Sequence, residues 1–208
     1  MNNRMSSMNL NHDDILHFLK SAYFGSIDDQ YAAASKRAYR DFCRTIRSQL
    51  FKNATSESKE ELRRKITDYM KSEIERLAKM KDIDSAAFDE WHSVVCRGII
   101  ERFTIDTLCY GQAQKWINMT FKYLCVLDDD IKNAVFFKFL HIPMDNIILD
   151  VAVDAHLIDR PVKRWSRWNE AEYKQYQNAI RNAIHKNKGN HYPPLLWEFR
   201  NWKANEND

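Results

Sequence analysis

The sequence predicts an all-α chain, and three observations carry that expectation. Apolar residues recur at three- and four-residue spacing through most of the length. Only four glycines and four prolines interrupt 208 residues, so turns are scarce and long helices are the simplest solution. The one stretch rich in β-branched residues, 147–153, lies between an aspartate able to cap a helix and further helical spacing. With 44% hydrophobic and 12% aromatic residues the chain can bury a substantial core. No internal repeat or low-complexity linker divides it, so a single all-α domain over 1–208 is expected.

The elements follow in order. Asp13 and Asp14 open a first helix with Ile15, Leu16, Leu19 and Tyr23 on one stripe. A longer helix follows Asp28 and Asp29 and carries Tyr31, Ala34, Ala38, Phe42 and Ile46. After a polar break at 53–57, Ser58 with Glu61 forms a capping box for a helix whose stripe is Leu62, Ile66, Tyr69, Ile74, Leu77 and Met80. Asp84 or Ser85 caps the next, with Phe88, Trp91, Val95, Ile99 and Phe103 turned inward. A short segment at 104–110 leads to a hairpin at Gly111 and a strongly apolar helix over about 112–127. A brief helix and a proline-directed turn come next, and Asp145 opens another apolar helix. Asn169 caps the following one, and Pro193 and Pro194 start the last.

Charge and cysteine usage narrow the function classes. Residues 160–208 hold ten Lys/Arg against five Asp/Glu, a balance of +5, while the preceding residues hold 22 against 24, or −2. A basic C-terminal third interleaved with Trp165, Trp168, Trp197 and Trp202 suits a polyanion, or a solvated helix whose tryptophans turn inward. Cys43, Cys96, Cys109 and Cys125 form no C-x-x-C pair and read as small buried hydrophobes, and the seven histidines are scattered. No metal and no cofactor are expected. The N-terminal stretch MNNRMSSMNLNHDD lacks an apolar core of signal-peptide length, and no window reaches the about 18 apolar residues of a membrane span. A cytoplasmic monomer without a membrane partner follows from this reading.

Two local features stand together. Gly111-Gln112-Ala113-Gln114-Lys115 opens one helix, and Ile142-Pro143-Met144-Asp145 opens another. A hairpin of small residues lets backbone N–H groups approach a phosphate, aided by the helix dipole, so 111–114 is a candidate phosphate-binding hairpin. Lys115 shares its helical face with Asn118, Met119 and Lys122, a more polar side than that of Ile117, Thr120, Phe121 and Leu124. It can therefore face a cleft, with the Asp145 carboxylate, as an N-cap, on the opposite wall.

This combination resembles the helix-hairpin-helix DNA glycosylases, whose hairpin reads G-x-G-x-K and whose downstream turn reads hydrophobic-Pro-hydrophobic-Asp. The resemblance spans about 104–155. It matches Gly111 and Ala113 to the two hairpin glycines, Lys115 to the catalytic lysine of the bifunctional members and Asp145 to the catalytic aspartate. Ala113 stands where the second glycine is usual, and Lys115 and Asp145 lie 30 positions apart, a longer interval than in the best-known members. The archaeal 8-oxoguanine glycosylase branch is closer in look, with a similar insertion and a Gln-Lys pair like Gln114-Lys115. No iron–sulfur loop is present, which separates the chain from the endonuclease III and adenine glycosylase branches.

The resemblance implies two lobes of helices around a central cleft and excision of a damaged or modified base from double-stranded DNA. Lys115 would add AP-lyase activity as a nucleophile, or support hydrolysis by water activated at Asp145. The alternative is a non-catalytic all-α module binding nucleic acid or a protein partner, for instance in a defence or regulatory system.

Overall fold

The computed structural model describes residues 10–202, so what the sequence suggests about 1–9 and about the tail at 203–208 lies outside the described residues. Ten α-helices and two 3-10 turns, with no strand, make up the described residues.

The helix starts follow the capping residues closely. Asn11 and Asp14 cap each other at the head of α1 (His12–Phe24) in a reciprocal box. Asp29 caps α2 (Gln30–Cys43), and Ser48 caps α3 (Gln49–Asn53), a short helix without an apolar period to announce it. Thr55, not Ser58, caps α4 (Ser56–Ala78). Its hydroxyl accepts from the Ser58 N–H, which places Ser58 inside the first turn. Asp84 caps α5 (Ser85–Arg102). The helix α6 (Tyr110–Leu127) begins at Tyr110, and α7 (Asp129–Asn133) leads into a 3-10 turn at Val135–Phe139. Asp145 caps α8 (Asn146–Asp154), a second 3-10 turn forms at Trp165–Arg167, and Asn169 caps α9 (Glu170–Lys188). Pro194 is the first residue of α10 (Pro194–Asn201), where its missing N–H costs nothing.

The molecule is organised around α6, which is buried on almost every side. Side-chain contacts run in opposite order along α2 and α6. Gln30 Nε2 reaches the Leu127 carbonyl, the Phe42 ring stacks on Trp116 at 4.5 Å, and Gln112 Nε2 reaches the Thr45 carbonyl. The two helices are therefore antiparallel, and the small buried residues Ala33, Ala34 and Ala38 let α2 lie close against α6. On another side α5 meets α6 through Trp91 on Phe121 and His92 on Asn118. The C-terminal helices and the Trp165–Arg167 turn cover what remains.

The first helix departs from its expected role. Its stripe of Ile15, Leu16, Leu19 and Tyr23 is exposed, and α1 has no buried residue, because only its C-terminal end, through Tyr23 and Phe24 on Tyr123, reaches the core. The cysteines divide as well: Cys96 is buried, while Cys43, Cys109 and Cys125 are only partly so. No helix among the described residues is long and apolar enough to cross a membrane.

Candidate active site

The starts of α6 and α8 bring a lysine and an aspartate into contact. Lys115 Nζ lies 2.6 Å from Asp145 Oδ2, with the lysine side chain 7% and the aspartate 22% exposed. The other carboxylate oxygen, Oδ1, accepts from the Ile148 N–H at 2.8 Å as the N-cap of α8. One carboxylate thus closes a helix and holds an ammonium, and the two bonds together fix its plane.

The turn before Asp145 is clamped by three buried carboxamides. Gln114 Nε2 donates to the Gly111 and Met144 carbonyls at 2.9 and 3.1 Å, and its Oε1 accepts from the Met144 N–H at 3.3 Å. Asn118 Nδ2 donates to Gln114 Oε1 and to the Tyr173 hydroxyl, both at 2.9 Å. Gln177 Nε2 donates to the Ile142 carbonyl and to the same hydroxyl, also at 2.9 Å. With both its lone pairs taken, the Tyr173 hydroxyl donates to His141 Nδ1, at 2.9 Å. His141 then carries its proton on Nε2 and donates to Asp89 at 2.7 Å, where Arg181 also pairs.

Burial sets the protonation of this network. It pushes the Tyr173 hydroxyl well above its ordinary range, so the phenol keeps the proton it donates. It pushes His141 below its ordinary value and His92 far below, which favours the neutral form of both rings. Although burial opposes ionisation of Asp89, its bonds to His141 and Arg181 outweigh that and hold the carboxyl well below the usual range.

A second buried pair stands two turns along α6. Lys122 Nζ lies 2.5 Å from Glu198 Oε1, and Glu198 is 2% exposed. Its Oε2 is buried without a hydrogen-bond partner. Burial pushes the Glu198 carboxyl up, Lys122 opposes this, and the fields of Asp145 and Lys115 also reach it, so the two pairs share one neighbourhood. The Lys122 ammonium sits over the Phe199 and Trp202 rings at 5.7 and 5.1 Å, and both rings are partly open to solvent.

The candidate phosphate hairpin takes a different form. Gly111, Gln112, Ala113 and Gln114 are the first turns of α6, and Ala113 and Gln114 are fully buried. A Cβ added to Gly111 would stand 1.9 Å from the Trp165 carbonyl oxygen, so the glycine makes room for the Trp165–Arg167 turn. Its N–H is already bonded to the Trp168 carbonyl at 3.0 Å. Gln112 reaches back to the Cys109 N–H and across to Thr45. The link between α5 and α6 is 103–109, ahead of these residues.

The polar face read for Lys115, Asn118 and Lys122 is present, but it faces protein carboxylates and carboxamides rather than open solvent. Glu198, Tyr173, His141 and Gln177 were not marked by any local motif. The i, i+4 and i+7 spacing of Asn118 and Lys122 from Gln114 and Lys115 was the available signal. Much of the basic tail is neutralised internally: Arg160, Lys163, Lys174 and Arg181 all pair with carboxylates. Trp168 and Trp197 are buried, while Trp202 is exposed.

No protein-family model, no curated protein and no solved structure matches the chain.

Proposed function

We propose that the chain is a DNA glycosylase that releases a damaged or modified base extruded from the duplex. The observation that carries this reading is the Lys115–Asp145 pair at 2.6 Å, its lysine buried and its aspartate half-buried, joining two helix starts. A purely structural ion pair placed there would gain little over apolar packing, because desolvating two charges offsets most of their attraction. Such a pair is of use where charge must develop nearby.

In this reading the C1′–N bond breaks with its electrons leaving on the base, and positive charge grows on the sugar. The Asp145 carboxylate stabilises that charge. The Lys115 ammonium gives its proton to the departing base, its amine bonds to C1′ and ring opening gives an imine, from which β-elimination nicks the strand. The base must leave the stack first, because its glycosidic bond is out of reach inside a duplex. Lys122 and the Trp202 ring then form the wall against which the base is held: a planar face to stack on and an ammonium, with the buried Glu198 carboxylate behind it fixing the ammonium in place.

Borohydride trapping tests the lysine. Wild type on a duplex with an aldehydic abasic site should give a covalent adduct, and Lys115→Ala should give none. Trapping that survives in Lys115→Ala would remove the lysine from the chemistry. Base release without any adduct would instead assign hydrolysis through Asp145, with Lys115 contributing charge alone. Tight duplex binding with neither adduct nor base release would favour a non-catalytic binding module.

A further inference from the structure

The Trp165–Arg167 turn is held more firmly than an ordinary surface loop. The Trp165 carbonyl fills the space that a side chain at position 111 would need, and the Trp168 carbonyl accepts from the Gly111 N–H at 3.0 Å. Trp168 is buried, stacks on Tyr176 at 4.4 Å, and donates its indole N–H to the Lys163 carbonyl at 3.0 Å. The Trp165 indole N–H donates to Asn146 Oδ1 at 2.9 Å, one residue from Asp145. The segment is therefore fastened both to the helix start that carries Lys115 and to the one that carries Asp145.

What the segment presents outward is specific in kind. Val162 is fully exposed, and Arg164 and Arg167 are exposed without a carboxylate partner among the described residues. The neighbouring cations Arg160 and Lys163, by contrast, are each paired. Pro161 and the β-branched side chain of Val162 leave little conformational freedom to lose on binding.

We propose that residues 161–167 form the arm by which this site grips duplex DNA. Arg164 and Arg167 hold phosphates beside the extruded nucleotide, and Val162 enters the stack where the base has left. The inference rests on the glycosylase reading and names the surface that reading requires. Guanidinium groups bind phosphate in a bidentate fork, and an apolar wedge offsets the stacking lost on extrusion.

The test uses two short labelled duplexes, one intact and one with a tetrahydrofuran abasic analogue, so that no base need be known. Wild type, Arg164→Ala/Arg167→Ala and Val162→Ser are titrated over a salt series. The double variant should lose about two units of log–log salt slope on both duplexes. Val162→Ser should bind the intact duplex as wild type does, yet lose its preference for the abasic duplex by on the order of tenfold. All three positions are exposed, so the thermal melts should superimpose on wild type.

An unchanged slope in the double variant, with wild type binding normally, overturns the arm and leaves the glycosylase reading standing. Wild type without salt-dependent affinity for either duplex sinks both. Equal losses on an RNA duplex, with no preference for the abasic DNA in wild type, would assign the arm to another polyanion and also overturn the proposal.

Discussion

The Tyr173 hydroxyl is the point on which the polar interior of the site converges. It accepts from Asn118 and Gln177 and donates to His141, so three buried groups depend on one oxygen. Tyr173→Phe should therefore cost about 2–3 kcal/mol of stability, more than a single net hydrogen bond, because its partners are left unsatisfied. Chemical denaturation of the two proteins measures it, and a loss within error of zero would mean that water replaces the hydroxyl. The same variant loosens the Ile142-Pro143-Met144 turn and should slow base release although Tyr173 touches neither Lys115 nor Asp145. Local sequence marks Lys115 and Asp145 because each sits beside a helix-start signal. It cannot mark Tyr173, whose partner Asn118 lies 55 positions away and meets it only through the fold.

At the scale of elements, most helix starts were legible because capping is local chemistry. Asp84, Asp145 and Asn169 each close their own first turn with a side-chain oxygen. The short pieces at Gln49–Asn53 and Trp165–Arg167 escaped, since neither is long enough to show an apolar period. The stripe on α1 misled for the opposite reason: periodicity shows that a face is apolar, not that anything lies against it. The spacing around Gly111 suggests a hairpin residue, yet its role is set by an element more than fifty positions later. Gly111→Ala should force the Trp165 carbonyl away from α6 and destabilise the protein by about 1–3 kcal/mol, as overpacking generally does. The indole of Trp165 would then leave Asn146, and tryptophan fluorescence should report it. A variant with wild-type stability and emission would show that the turn moves aside without strain.

At the scale of the whole molecule, the buried charges make stability depend on pH in a definite direction. His92 and His141 have folded pKa values below their unfolded one, so between those values the unfolded chain binds more protons. Their neutral forms support folding above about pH 6.5, and that support is lost as the pH falls below it. Asp89 acts in the same sense at lower pH, because its carboxyl, held low by His141 and Arg181, must be protonated on unfolding. Midpoints of urea unfolding should accordingly change little above about pH 7 and fall as the pH drops from about 6.5 to 5. A flat profile would mean that the histidines are not buried neutral. The balance of charge over the tail was legible in composition, but which of its cations are free was not, since ion pairing depends on what α5, α8 and α9 place beside them.

A glycosylase separates a base from its sugar, and free base is the most direct readout of that step. Duplexes that each carry one oxidised, alkylated or bulky modified base are incubated with wild type and Asp145→Asn, and released base is measured by mass spectrometry. Wild type should release one particular modified base. None above background should come from Asp145→Asn, whose amide still caps α8 but carries no charge to offset the developing cation. Near-normal release by Asp145→Asn, or no release by wild type from any duplex it binds, would contradict the glycosylase reading.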